Sequence, residues 1–126
     1  MRISDLVRDY LILNIVPNYL PAITFSEERP PFISAEKIIF TKQTGRPVDA
    51  YVRQFDVEIL LFGVQNANNA DLDSLFNDAE LVLEYIKANF VINEDLRITI
   101  TQDVTGPYIT AQNRYFYRIS VLTYSE

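Results

Sequence analysis

Hydrophobic and polar residues alternate most regularly between residues 48 and 62. The apolar side of this run comprises Tyr51, Phe55, Val57, Ile59 and Leu61, and the polar side comprises Gln54, Asp56 and Glu58. A period of two residues is typical of a strand that is buried on one face. Because the run is longer than an average strand, we predict that it forms the centre of a small antiparallel sheet with one covered face.

Three further segments have strand patterns. Residues 35–42 precede the long strand, and the turn-forming residues 43–47 join the two into a hairpin. Residues 96–103 and 114–124 alternate in the same way and are predicted to form a second hairpin. Between them, residues 106–113 begin with Gly-Pro and are predicted to form a turn-rich loop.

Two segments have apolar residues at helical spacing. The first covers residues 4–15 with Ser4 as its N-cap, and it ends before Pro17 because proline cannot continue a helix. The second follows an Asn-rich piece, and its N-cap is predicted to be Asn69 or Asp71. The apolar stripe of this second helix comprises Leu72, Leu75, Phe76, Ala79, Leu83 and Ile86.

The order of these elements is helix, hairpin, helix, hairpin. This order predicts a single α+β domain over residues 1–126, with a four-stranded, mainly antiparallel sheet and two helices packed on one face. Residues 17–34 carry four of the six prolines and are predicted to form an extended connection within the domain. Two interpretations of this connection stay open, a functional surface loop and a partly disordered one.

Composition narrows the function classes. The chain has no Cys and no His, so it offers no disulfide, thiolate, cysteine metal site or Ser–His pair. Its three glycines are isolated, and no phosphate-binding loop is present. No apolar run approaches the length of about 18 residues that a membrane span needs, and the amino-terminal segment is interrupted by charges, unlike a secretory signal. We expect a soluble protein without a cofactor that is not an enzyme.

One pair of acidic residues leaves an enzymatic alternative open. Asp56 and Glu58 share one face of the long strand and are close enough in sequence to bind one divalent metal ion, as in some nucleases. No basic residue follows at the next position of that face, Leu60. The favoured interpretation is therefore a pair of polar residues on the less buried face of the strand.

The formal charge of −6 disfavours direct binding to nucleic acid. Aromatic residues cluster near the carboxyl end together with arginines, and Tyr and Arg are enriched at protein interfaces. The candidate interface residues are Arg46, Tyr108, Arg114, Tyr117 and Arg118. Both faces of the last strand are substantially apolar, which fits equally an internal strand covered on both faces and a contact between subunits.

The layout of the chain resembles the small tail terminator, or tail completion, proteins of long-tailed bacteriophages, including the minor tail protein U group. The resemblance is carried by an amino-terminal helix, the proline-bearing segment, the strand QFDVEILLFG, the helix DLDSLFNDAELVLEYI and the closing pair ITITQDVTGPYI and RYFYRISVLTY. It covers nearly the whole chain. In that family a polar loop, here residues 105–114, precedes the last strand in the same way.

The resemblance implies a structural virion protein that forms a ring, expected to be a hexamer. The ring would cap the tail tube, end tube polymerisation and join the tail to the head connector. The implied partners are a second copy of the chain, the tail tube protein and neck proteins, with DNA only passing through the channel and no membrane. The implied location is the head-proximal end of the virion tail, after assembly in the host cytoplasm.

Several features of this role stay open. The expected subunit contacts are residues 42–48, residues 105–114 and the proline-bearing segment. An acidic ring would repel the phosphates of passing DNA, and residues 64–126 carry nine acidic and four basic groups. A different neck or head-completion ring protein is the main alternative, and a small metal-dependent enzyme using Asp56 and Glu58 is a weaker one.

Overall fold

A computed structural model describes residues 3–22, 37–43, 53–89, 91–92, 96–110 and 113–125 of the chain. Two helices and five strands follow each other in this part. In chain order they are α1 (Ile3–Asn14), β1 (Leu20–Ala22), β2 (Ile38–Gln43), β3 (Arg53–Gln65), α2 (Asn69–Ala88), β4 (Leu96–Ile109) and β5 (Arg114–Ser125). None of these helices is both long and apolar enough to cross a membrane.

The strands form one open sheet in the order β1-β2-β3-β5-β4. β1 is parallel to β2, and the remaining neighbours are antiparallel. The predicted α+β class is confirmed, but the sheet has five strands in place of the predicted four. The extra strand, β1, lies inside the segment predicted to be an extended connection. Its Pro21 is tolerated because β1 is an edge strand, where proline is found most often in sheets.

β3 is the middle strand and pairs with β2 on one side and β5 on the other. It confirms the predicted central strand over residues 53–62 and continues to Gln65, whereas residues 48–52 lie outside the described ranges. The hairpin of β2 and β3 is confirmed by antiparallel pairing from Ile38↔Phe62 to Gln43↔Val57. β5 matches the prediction closely and ends one residue later.

The core lies between the two helices and one face of the sheet, which we call the inner face. β3 contributes Val57, Ile59 and Leu61 to it. The helices contribute buried apolar residues at helical spacing, namely Val7, Leu11, Leu75, Ala79, Val82, Leu83 and Ile86. Burial of these side chains is the main driving force that holds both helices on the sheet.

Both predicted helix caps need correction. Ser4 lies inside α1, which begins at Ile3, and its carbonyl oxygen accepts a hydrogen bond of 2.6 Å from the Thr41 hydroxyl on β2. The N-cap of α2 is Asn68, one residue before Asn69 and three before Asp71, the two predicted positions. Its side chain accepts from the Asp71 amide at 2.8 Å, and the Asp71 carboxylate accepts from the Asn68 amide at 3.1 Å. Because Asp71 falls at the third helical position, the two residues form a capping box.

β4 is longer than predicted and continues to Ile109. The loop predicted over residues 106–113 is therefore wrong for residues 106–109, which lie within the strand, whereas Thr110 and Asn113 lie outside the strands as predicted. The pairing of β4 with β5 shifts in register at three places between Ile100 and Tyr108, so β4 contains bulges. Glycine and proline, which disturb a regular strand, are tolerated at bulges. Gly106 has a φ of 128°, and a Cβ at this position would lie 3.0 Å from the Phe116 carbonyl oxygen.

Candidate interaction surface

The sheet face opposite the helices, which we call the outer face, carries an apolar cluster. Ile38 and Phe40 of β2 and Leu60 and Phe62 of β3 are buried here, and Phe116 of β5 packs against them. They meet because Ile38 pairs with Phe62, Phe40 with Leu60, and Phe62 with Phe116. These residues alternate with the inner-face residues of the same strands, as the period of two requires.

Three aromatic rings continue this cluster toward the β4 edge. The ring centroids of Phe62 and Phe116 are 4.9 Å apart, and those of Phe116 and Tyr108 are 5.3 Å apart. These separations lie in the range of favourable aromatic pairs. Tyr108 ends the row and is 39% exposed. The outer face therefore presents a half-exposed tyrosine whose ring packs against that of Phe116.

Charged side chains lie beside the aromatic row. Glu58 forms ion pairs with Lys42 at 3.3 Å and with Arg118 at 3.8 Å. The guanidinium of Arg118 lies 5.7 Å from the centroid of the Tyr108 ring, at a distance suitable for a cation–π contact. The three ionic groups carry a net charge of +1. The outer face thus places a tyrosine and a positive charge side by side.

The acidic pair on β3 lies near this charged group. Asp56 and Glu58 are on the outer face, as predicted, opposite Leu122 and Ser120. Glu58 contacts two cationic side chains, which compete with any metal ion. Within the described ranges, no three Asp or Glu residues lie close enough together to hold a metal ion. The surroundings of Glu58 therefore resemble a surface ion-pair network more than a metal centre.

The structure places the predicted interface residues in different environments. Tyr108 and Arg118 lie together on the outer face, whereas Arg46 lies outside the described residues. Arg114 is only 2% exposed, and its guanidinium donates to the Gly63 carbonyl oxygen at 3.1 Å. This contact joins the start of β5 to β3, so Arg114 supports the fold and offers almost no surface to a partner.

Tyr117 also belongs to the interior of the fold. It is 6% exposed, lies in the inner-face core, and its ring centroid is 5.5 Å from that of Phe76 on α2. Burial, with the nearby negative charge of Asp73, raises the pKa of Tyr117. The alternation of side chains along β5 indicates that Tyr117 is buried, because Tyr117 shares a face with Ile119 and Val121.

A second polar cluster joins the residues just before β1 and β2, Tyr19 and Lys37, to α2. The Tyr19 hydroxyl donates to the Asp78 carboxylate at 2.7 Å, and burial together with this carboxylate raises the pKa of Tyr19. Lys37 lies 3.4 Å from Asp78 and 3.3 Å from the Ser74 hydroxyl. A Ser–Lys pair can act as a nucleophile and base, but the ammonium of Lys37 is engaged in an ion pair. The cluster fits a structural clamp better than a catalytic site.

A groove of about 550 Å³ runs along β4 beside the end of α2. Its lining is mainly polar, and two of its three isoleucines, Ile86 and Ile98, are almost fully buried. Lys87 and Asp103 lie 3.9 Å apart, so the lining carries one basic and one acidic group. Sequence reasoning missed the groove, because it depends on how the end of α2 packs against β4, which the sequence pattern does not indicate.

No protein-family model matches the chain, and a comparison with curated proteins gives no match.

Proposed function

We propose that this chain is a structural protein of a bacteriophage tail that forms a ring on the end of the tail tube. The ring would end tube polymerisation and provide the surface for head joining. The proposal starts from the resemblance in sequence layout. The observation that carries it is the Tyr108–Arg118 pair on the outer face, beside an apolar cluster and opposite the face that the helices cover.

This surface has the chemistry of a protein contact. Tyrosine combines a large apolar ring with a polar hydroxyl, and arginine combines an apolar stem with a multidentate donor. Both are frequent among the residues that dominate binding energy at interfaces. The Phe116 ring and the Arg118 guanidinium flank Tyr108 and reduce the side-chain freedom that binding would otherwise remove.

The proposed partners are a second copy of the chain, the tail tube protein and the neck proteins of the head. A ring requires a contact between two different surfaces of the same chain. The net negative charge suits a ring through which DNA passes without binding, because like charges repel. The ring size proposed from the resemblance is six.

The experiment that tests this function measures the mass of the purified chain by light scattering over a concentration series, alone and with isolated tail tubes. We expect a ring in solution or a ring that forms on tube ends. Binding to isolated heads but not to tubes would favour the alternative of a neck or head-completion protein. A chain that stays monomeric and ignores both would overturn the proposal.

The metal-dependent enzyme is a weaker alternative. Replacement of both Asp56→Asn and Glu58→Gln would abolish a metal-dependent activity if this pair held the ion. The ion pairs of Glu58 with Lys42 and Arg118 argue against that role. Isothermal titration with Mg²⁺ or Mn²⁺ checks the alternative directly, and saturable binding that the double variant loses would favour it.

A further inference from the structure

We infer that residues 23–36, which join β1 to β2, pack across the outer face of the sheet and cover the apolar cluster of β2 and β3. We call these residues the β1–β2 connection, and they lie outside the described ranges. Two features of the described strands point to this packing, the burial of the cluster and the direction in which the strands are connected. The occupant of this part of the outer face is therefore the chain itself, whatever role the protein has in a tail.

The apolar cluster is buried, although both helices pack on the opposite face of the sheet. Its four side chains on β2 and β3 are each at most 8% exposed. On the same face, Phe116 and Leu122 of β5 are only half-buried, and Asp56 of β3 is exposed. Side chains on a sheet face that meets water keep much of their accessible surface. A cover that lies over β2 and one end of β3, but not over β5, explains this difference.

The direction of β1 and β2 shows that a crossover is needed beside this cluster. The two strands are adjacent and parallel, with Leu20 opposite Ile38 and Ala22 opposite Phe40. The chain therefore leaves β1 at one end of the cluster and returns to the other end before β2 begins. A parallel pair needs a crossover of about a dozen residues or more, and the fourteen residues of the β1–β2 connection meet this length.

The handedness of crossovers decides which face the connection crosses. Connections between parallel strands of one sheet are right-handed in about 98% of cases. β3 and β4 are parallel, because both are antiparallel to β5, and α2 joins them across the inner face. Both connections step toward the β4 edge, but β1 and β2 run opposite to β3 and β4. Two right-handed turns then require opposite faces, so the β1–β2 connection crosses the outer face.

The composition of the β1–β2 connection suits this position. Large apolar residues lie near both of its ends, and a polar stretch, residues 26–29, lies between them. The apolar residues are Ile23, Phe25, Phe32 and Ile33. Their burial against the cluster would offset the conformational entropy that is lost when a connection of this length is ordered.

The segment between β2 and β3, residues 44–52, is less suitable as the cover. It follows Gln43, whereas the cluster begins at the opposite end of this hairpin, where Ile38 pairs with Phe62. Five residues separate Gln43 from Ile38, which corresponds to about 16 Å along a strand. Lys42 on the intervening part of β2 is exposed, so the cover does not extend toward that end.

This packing limits the surface that a partner can reach. The apolar cluster becomes a second, smaller core between the sheet and the β1–β2 connection. The open part of the outer face is then the side of β5 and β4, where Tyr108 and Arg118 lie. A partner that binds this face would contact that side and the solvent-facing surface of the connection.

Photo-cross-linking in the full chain tests the packing directly. Phe40→p-benzoylphenylalanine places a photoreactive ring within the cluster, and mass spectrometry of the digested product locates the attachment. We expect attachment to residues 23–36 of the same chain. The matched control, Leu122→p-benzoylphenylalanine on the open side of the same face, should give little of this product. Attachment to another part of the chain, or to a second copy in a mixture of isotope-labelled and unlabelled protein, would overturn the inference.

Thiol accessibility provides a second measurement, because the chain has no other Cys. Leu60→Cys and Ile59→Cys place a thiol on the outer and the inner face at adjacent positions of β3. Each is compared with and without four substitutions that keep the length of the connection: Ile23→Ser, Phe25→Ser, Phe32→Ser and Ile33→Ser. These substitutions should speed maleimide labelling of Leu60→Cys by at least about tenfold and leave Ile59→Cys protected. An unchanged rate at Leu60→Cys, or an equal rise at both positions, would contradict a cover confined to the outer face.

Discussion

The two faces of β5 differ in what surrounds them, although both carry large side chains. On the inner face, Ile119 and Val121 are fully buried beneath α2 and its neighbours. On the outer face, Phe116, Arg118 and Leu122 are only half-buried. Large side chains of one strand therefore lie in two environments in this protein, the closed core and the half-buried outer face.

The two faces should differ most in the free energy of unfolding that is lost when one aliphatic residue on each is replaced by alanine. Ile119→Ala should lower the free energy of unfolding by about 2–5 kcal/mol, because it leaves a cavity in a close-packed core. Leu122→Ala on the same strand should cost about 1 kcal/mol. Urea denaturation measures both, and equal losses would contradict the distinction between the faces.

A similar contrast exists between two arginines of β5. Arg114→Met should lower the free energy of unfolding by about 1–3 kcal/mol, since the buried carbonyl of Gly63 loses a donor. Arg118→Met should cost less than about 1 kcal/mol, because its ion pair with Glu58 is partly solvated. Thermal and urea unfolding check both values. A greater loss for Arg118→Met would show that the outer face is also part of the stabilising core.

The free energy of unfolding should also fall at alkaline pH, because of two tyrosines on the helix side of the molecule. Burial, with a hydrogen bond to Tyr85, raises the pKa of Tyr10 to about 12, and burial beside Asp78 raises the pKa of Tyr19. Above pH 10 the unfolded phenols ionise while the folded ones keep their protons. The stabilising contribution is therefore complete below pH 10 and is lost as the pH rises toward 12.

Tyr19→Phe sharpens this test. At neutral pH it should cost about 1 kcal/mol, because the hydrogen bond to Asp78 is lost. Between pH 10 and pH 12 it should make the loss of stability shallower, since one titrating group has been removed. Urea denaturation over a pH series measures both effects. An unchanged alkaline slope would mean that Tyr19 does not contribute to it.

The smallest effect is expected for the ion pairs of the outer face. Glu58→Gln leaves Lys42 and Arg118 without their shared carboxylate, and it should change the free energy of unfolding by less than about 1 kcal/mol. The change should shrink further at 1 M salt, where charge interactions are screened. A large, salt-independent loss in thermal unfolding would contradict the interpretation of this group as a partly solvated network.

The type of an element could be predicted best where its apolar residues recur with a regular period. β3, β5 and the stripe of α2 have clear periods, so their types and the α+β class could be predicted. β1 was missed because three residues containing Pro21 are too short to show a period. The end of β4 was missed because Gly106 and Pro107 signal a turn, whereas bulges keep them within the strand.

The candidate surface was predictable only in part. Tyr108 and Arg118 were identified from residue type, but their contact depends on the register between β4 and β5. That register shifts at each bulge, and the sequence pattern does not indicate where the bulges lie. The burial of Arg114 depends on Gly63, which is 51 residues away in the chain. A residue type that is frequent at interfaces does not by itself show whether the side chain reaches the surface.

The bulges of β4 also determine which residue completes the aromatic row. Ile100 is opposite Val121, so an uninterrupted ladder would place Thr105 opposite Phe116, whereas Tyr108 is opposite it in this protein. The three additional residues of β4 thus act as a spacer. Loss of a single residue from this spacer, with the three bulges kept, would place Ile109 opposite Phe116 in place of Tyr108. The aromatic row is therefore vulnerable to small deletions that leave every one of its rings in the sequence.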